Sequence, residues 1–237
     1  MKPLFRSFSM FVKQILRDSM LITICFAVIL TALFTRYGVP ALEGALCGYF
    51  HVNTILSEYY LMFDLLLAVV TPYMLSFASS LMMLTEFDEN MSSYLSITPV
   101  GKNGYLISRL GLPSAISYLL SVLLLSGFSL TKWTAPILLA TGILSCLSSA
   151  AVAMLLFSYS HNRVEGMAMG KLAGILMLGL FAPFFIKTNV QYLFAVLPSF
   201  WIAKLSMEQN VLYFLPGLVC AMLWLFPLMN RFQRKIA

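Results

Sequence analysis

Few residues of this chain can do chemistry in water, and three of them stand together: Glu86, Asp88 and Glu89. They fall just past an apolar stretch, where negative charge faces the unfavourable end of a helix dipole. Such a placement costs free energy unless water or a partner offsets it. A short helix from Glu89 to Leu95 presents Met91, Tyr94 and Leu95, and Thr98-Pro99-Val100-Gly101 then reads as a turn. The next apolar stretch opens over Tyr105 to Arg109. The segment is either a solvated loop or a docking element with spaced anchors for a partner in water.

Enzyme chemistry finds little purchase. Gly166-Met-Ala-Met-Gly170-Lys171 has one residue too few between its glycines for a phosphate-binding loop, and Leu172 stands where Ser or Thr is needed. Any ATP hydrolysis therefore belongs to another chain. His51 and His161 lie in no zinc-ligand spacing, and no Ser-His-Asp grouping is suggested. No metal site or cofactor site is expected here. The cysteines Cys25, Cys47, Cys146 and Cys220 are scattered and read as small apolar residues, and the methionines as packing or lipid-facing groups.

Four intramembrane features remain. Asp64 is the only acid well inside an apolar stretch, and is either a pathway residue or a locally satisfied carboxylate. Pro72, in the same stretch, removes a backbone hydrogen bond and kinks its helix. Gly166, Gly170 and Gly174 form a ladder at helical spacing that lets another helix approach, within one subunit or between subunits. Gly142, Cys146 and Ala150 form a similar ridge.

These residues need elements to hold them, and composition says which. Apolar residues make up 60% of the chain and charged residues 10%, with a mean hydropathy of +0.89. A soluble domain carries about 25% charged residues, so this is an integral membrane chain. Its net charge of +6 flanks apolar segments and reports orientation rather than nucleic-acid binding. Six stretches are long enough to cross: about 19–35, 59–84, 106–130, 135–159, 167–186 and 211–229. They form one transmembrane domain over 1–237. Lys2, Arg6, Lys13, Arg17, Lys102, Arg109, Arg163, Lys171, Arg231, Arg234 and Lys235 fall on one side, against Arg36, Lys132, Lys187 and Lys204 on the other. The bias puts both termini in the cytoplasm.

Residues 1–18 carry Leu4, Phe8, Phe11 or Val12, and Ile15 at helical spacing, with Arg6, Lys13 and Arg17 elsewhere on the wheel. This is an amphipathic helix at the lipid surface. Long outer connections run over Arg36–Glu58 and Lys187–Asn210. The second is apolar enough to fold back into the membrane surface or to cover other helices.

The run TEFDENMSSYLSITPVGKNGYLISR resembles the segment after the second span of ABC-2 type transporter permeases, where an acidic stretch leads through Leu-x-x-Thr-Pro-[Val/Leu] to Tyr-Leu-x-x-[Lys/Arg]. Arg17-Asp18, Arg36-Tyr-Gly-Val-Pro40 and Leu197-Pro198-Ser199-Phe200-Trp201 are similar to that family too. The bacterial drug (fluoroquinolone-type) export permeases look nearest. Asn90 and Met91 depart from the pattern, standing where Gly and Thr often occur.

The resemblance implies an ABC-2, type V exporter-like domain, paired with an identical or sister permease subunit above two ABC ATPase subunits. In that arrangement Glu86, Asp88, Glu89, Tyr94, Thr98, Pro99, Val100, Arg109 and Arg17 lie near the gate and the ATPase contact. Spans two and five line the pathway, which brings in Asp64, Pro72, Gly166, Gly170 and Gly174. Leu197, Pro198, Phe200 and Trp201 form an external gate. ATP and Mg bind the partner ATPase. The cargo leaving a bacterial plasma membrane through so apolar a domain is an apolar or amphipathic drug, peptide or lipid. Two other readings compete: a non-transporting scaffold or immunity protein, and an intramembrane enzyme, for which the spans supply little beyond Asp64.

Overall fold

The computed structural model describes residues 2–89, 91 and 101–236, and every regular element in it is helical. The elements are α1 (Lys2–Ile15), α2 (Ser19–Leu33), α3 (Val39–Phe50), α4 (Tyr60–Asp88), α5 (Gly101–Leu106), α6 (Leu112–Phe128), α7 (Ala135–Tyr159), α8 (Arg163–Ala173), α9 (Ala182–Phe185), α10 (Pro198–Met207) and α11 (Phe214–Ile236). Five continuous helical stretches among the described residues are long and apolar enough to cross a membrane: Ser19–Phe50, Ser57–Asp88, Gly104–Phe128, Ala135–Tyr159 and Val211–Lys235. The second and fourth are 56% and 67% buried, against 22%, 28% and 17% for the others. The bundle is therefore built around α4 and α7.

The first stretch departs from expectation. A π turn over Phe34–Gly38 joins α2 to α3, with the Val39 N–H bonded back to Phe34 C=O. The wider turn carries the helix past Pro40, which has no N–H of its own. Helix thus continues to Phe50, and most of the expected outer connection is helical. A left-handed His51 (φ 53°) ends it. The returning chain is held by the Glu43 carboxylate, which accepts the N–H groups of Ile55 at 2.9 Å and Leu56 at 2.5 Å.

The expected fifth span is broken. It runs as α8, a 3-10 segment over Gly174–Leu180, and α9. Four glycines from 166 to 179 weaken α-helix formation, and side chains from neighbouring elements add hydrogen bonds to carbonyls along the segment. Tyr73 Oη donates to Gly170 C=O at 2.9 Å, and Ser199 Oγ to Leu176 C=O at 2.5 Å. The apolar connection after it covers other helices through α10, one of the two outcomes expected of it. Within α10, Phe200, Ile202, Ala203 and Leu205 are sealed from solvent. The indole N–H groups of Trp201 and Trp224 satisfy the carbonyls of Ala195 and Val196, in the 3-10 turn (Asn189–Val196) that precedes α10.

Proline is tolerated at the centre because serines on the neighbouring helix replace the missing donor. Pro72 leaves Ala68 C=O without its helical N–H, and Ser121 Oγ of α6 donates to that oxygen at 3.0 Å. In return, Pro113 cannot bond back to the turn holding Arg109, and Ser79 Oγ of α4 donates to Arg109 C=O. α4 and α6 are cross-linked twice by this exchange.

The glycines separate by function. A Cβ at Gly166 meets Leu84 and one at Gly170 meets the Phe77 ring, so both let α8 lie against α4 within the subunit. Gly174 has nothing within 4 Å. At Gly179 a Cβ would sit 2.9 Å from the backbone N of Phe200, where no side-chain rotation relieves it. Gly179→Ala should therefore lower stability by about 1–3 kcal/mol, as overpacking does. Gly174→Ala should be close to neutral. Thermal unfolding of the two purified variants in nanodiscs checks the contrast.

Candidate functional site: a buried arginine at the α1 end

The end of the bundle that carries α1 gathers its charges into one connected set. At its centre is Arg109, in the π turn Ile107–Gly111 between α5 and α6. Its side chain is 3% exposed and faces a fully buried Glu86 from the last turns of α4. Arg109 Nη2 donates to Glu86 Oε1 at 2.6 Å, and Nε to Oε2 at 3.0 Å, a two-pronged pairing that suits guanidinium geometry. The remaining Nη1 donates to the carbonyl of Ser7 at 3.0 Å and to its hydroxyl at 2.9 Å. The ring of Phe11 lies 4.8 Å from the guanidinium carbon. Arg109 thus binds α1, α4 and the start of α6 with one side chain. Burying both ions is costly, and the pairing stands because nearly every N–H of the guanidinium has an acceptor.

A second clasp lies beside it. Arg163, at the start of α8, pairs through Nη1 with Asp18 Oδ2 at 2.5 Å. Its backbone N–H donates to Asp88 Oδ2 at 3.3 Å. Asp18 also caps α2 through the N–H groups of Met20 and Leu21. The Arg163 hydrogen bond, with these amides, holds the Asp18 carboxyl below its usual value of 3.8. A third tie closes the end: Lys235 Nζ, from the last turn of α11, donates to Phe157 C=O at 2.6 Å and to Ser160 C=O at the end of α7. Its ammonium sits 4.6 Å from the Phe87 ring centroid.

The acidic patch is therefore split. Glu86, expected in water beyond the second span, is inside the protein, because α4 continues to Asp88 and turns it toward Arg109. Asp88 and Glu89 are exposed at the helix end, as is Arg17 on the link from α1 to α2. Tyr94, Thr98, Pro99 and Val100 lie outside the described residues. Ser7, Arg163 and Lys235 complete the set without having been singled out. Only the Asn162 cap of α8, which accepts the Glu165 N–H at 2.9 Å, could have pointed to Arg163.

The other residues expected to act lie elsewhere. Asp64 is buried at the opposite end of α4. Its carboxylate accepts the N–H groups of Leu130 at 2.8 Å and Thr131 at 2.9 Å, the Thr131 hydroxyl at 2.5 Å and the Trp133 indole at 3.2 Å. It is a locally satisfied acid that ties the turn between α6 and α7 to α4. Pro72 is buried among helices, and the donor it lacks is replaced by Ser121. Pro198 and Phe200 are buried, Leu197 and Trp201 partly so, and all four pack the covering segment.

Removing one partner of a buried pair strands the other charge, so Arg109→Gln should cost about 3–5 kcal/mol. Arg109→Lys should recover only part of this, since a lysine cannot make the forked contact. Thermal unfolding of both variants, with protease access to α1 as a second readout, checks the pairing and its reach to Ser7.

Residues 11–229 match the family described as Fluoroquinolones export permease protein Rv2686c-like. Two curated relatives, the Fluoroquinolones export permease proteins MT2760 and Rv2686c of two Mycobacterium tuberculosis strains, are each 27% identical over 180 residues, covering 74% of this chain and 67% of theirs. No solved structure matches the chain. With the match running from α1 into α11 and taking in the whole Arg109 set except Ser7 and Lys235, the chain belongs to the Rv2686c-like family of fluoroquinolones export permeases.

Proposed function

We propose that this chain is the membrane-spanning permease subunit of an ATP-driven exporter of the ABC-2 type. The observation that carries this is the family match over residues 11–229. The relatives' names supply the cargo: fluoroquinolone drugs, amphipathic aromatic molecules moved outward. In this reading the α1 end faces the cytoplasm, as the basic residues on it favour. The broken segment Arg163–Phe185 acts as the fifth of six crossings. A second permease subunit, identical or sister, pairs with this one. Separate ABC ATPase subunits bind below and hold ATP and Mg.

Arg109 gives the coupling a physical route. It makes α1, the end of α4 and the start of α6 move together. An ATPase that pushes on the segment between Glu89 and Gly101 therefore acts on α4 itself, the most central helix after α7. The exposed Asp88 and Glu89 are the groups placed to meet basic residues of that partner. Glu86 serves the coupling from inside, by holding Arg109.

The test separates contact from architecture. The chain is co-expressed with the ATPase encoded beside it and purified through a tag on the permease. The expected result is copurification, with ATP hydrolysis lowered several-fold by the pair Asp88→Ala and Glu89→Ala while the permease stays folded. Glu86→Gln should instead loosen α1 and reduce stability. If no ATPase copurifies from several detergents and nanodiscs, the scaffold reading replaces this one.

A further inference from the structure

Helix α1 presents three different surfaces around its circumference. One faces inward: Ser7 and Phe11 are buried, and Phe8 and Ile15 pack beside them on the bundle. The second is apolar and uncovered. Phe5 and Leu16, eleven residues apart and so on one edge, are 71% and 63% exposed. The third is basic. Arg6 and Lys13 stand about two turns apart, roughly 10 Å along the helix, and Arg17 follows about one turn later on the same side. All three are exposed.

The two outward surfaces fit one environment. At the boundary between headgroups and acyl chains, an apolar edge reaches hydrocarbon while a neighbouring basic edge stays among phosphates. Leu16 stands three residues before α2, whose Ile22, Phe26 and Ile29 are exposed as on a helix that faces lipid. The apolar edge of α1 therefore continues the lipid-facing surface of the first crossing.

The sign of the lipid charge follows from the acids. Residues 1–17 contain no Asp or Glu. Asp18 and Glu86, the acids tied into this end of the bundle, are engaged with Arg163 and Arg109. None of the ion pairs among the described residues includes Arg6, Lys13 or Arg17. A zwitterionic surface covers Phe5 and Leu16 as well as any other. Only an anionic one adds attraction for the cations, about fivefold in binding for each. An acidic protein face would meet the cations but leave the apolar edge beside them uncovered.

We propose that the outward side of α1 is a seat for anionic phospholipid, with headgroup phosphates on Arg6, Lys13 and Arg17 and acyl chains against Phe5 and Leu16. The seat has a reach beyond α1. Ser7 accepts from Arg109 through its carbonyl and hydroxyl, and the same guanidinium holds Glu86 at the end of α4. Lipid that steadies α1 therefore also steadies the end of α4, whether or not an ATPase binds beneath.

The test follows amide hydrogen exchange of residues 5–17 in the purified full chain, in nanodiscs of phosphatidylcholine alone or with phosphatidylglycerol, and uses α7 as the internal control. Phosphatidylglycerol should slow exchange in α1 and leave α7 unchanged. Salt well above physiological strength should reverse most of the slowing, since the cations are exposed. Each of Arg6→Gln, Lys13→Gln and Arg17→Gln should reduce the added protection by up to about fivefold, and the triple variant should exchange alike in both lipids. Phe5→Ser with Leu16→Ser should speed exchange in both. If phosphatidylglycerol leaves α1 of the wild type unchanged, or if the triple variant keeps the full response, the proposal is overturned. If inorganic phosphate over phosphatidylcholine gives the same protection, the basic edge takes any phosphate and the lipid seat falls. If a copurified ATPase slows exchange in α1 where phosphatidylglycerol does not, the edge is a protein contact and the lipid seat falls as well.

Discussion

One guanidinium decides how the α1 end of this protein is assembled. A charge buried at the edge of an apolar bundle must be paired and hydrogen-bonded on all sides, or it does not stay buried. Arg109 meets that demand with groups drawn from three places far apart in sequence: Glu86, Ser7 and the ring of Phe11. The requirement works in both directions. Helix α1 packs the stripe Phe8-Phe11-Ile15 on the bundle, and Arg109 adds the polar tie that fixes it at Ser7. With it, an interfacial helix becomes part of the helix packing. Asp18 and Arg163 then tie the next link in the chain to α8, and Lys235 ties α11 to α7.

The interior shows a related economy of polar groups. In hydrocarbon, a backbone carbonyl deprived of its donor must find another. The serines of α4 and α6 serve this need across the helix pair, each helix answering a proline of the other. Serine at these positions is thus neither a nucleophile nor a lining of a water path. Tyr73 and Ser199 add further hydrogen bonds to carbonyls of α8 and of the 3-10 segment that follows it.

Much of this was legible in the sequence. The apolar stretches, the stripe Phe8-Phe11-Ile15 and the burial of the segment around Phe200 follow from composition and period. Asp64 was legible as a residue needing partners, but not which of two readings held, because its partners at 130–133 come from the far side of another span. Glu86 was misplaced because charge alone says water. Only the pairing with a residue 23 positions away makes burial affordable, and no local pattern encodes that pairing. The segment after Thr35 reads as an outer connection, yet a π turn over Phe34–Gly38 carries the helix on past Pro40. The fifth span satisfied the hydropathy rule yet broke, because hydropathy counts transfer energy and is blind to four glycines that weaken regular winding, three of them at close contacts.

Asp64 and Glu86 lie 22 residues apart on α4, roughly 33 Å by helical rise, close to the ~30 Å depth of a bilayer core. Each is clamped at its own end of α4 by donors from a different part of the chain. A helix pinned at both faces cannot slide along the membrane normal like a piston, since either acid would have to be dragged through hydrocarbon. What remains open to it is bending at Pro72, the one place where its internal ladder is already interrupted. The motion this tethering leaves to α4 is that of a bow flexing between two fixed tips.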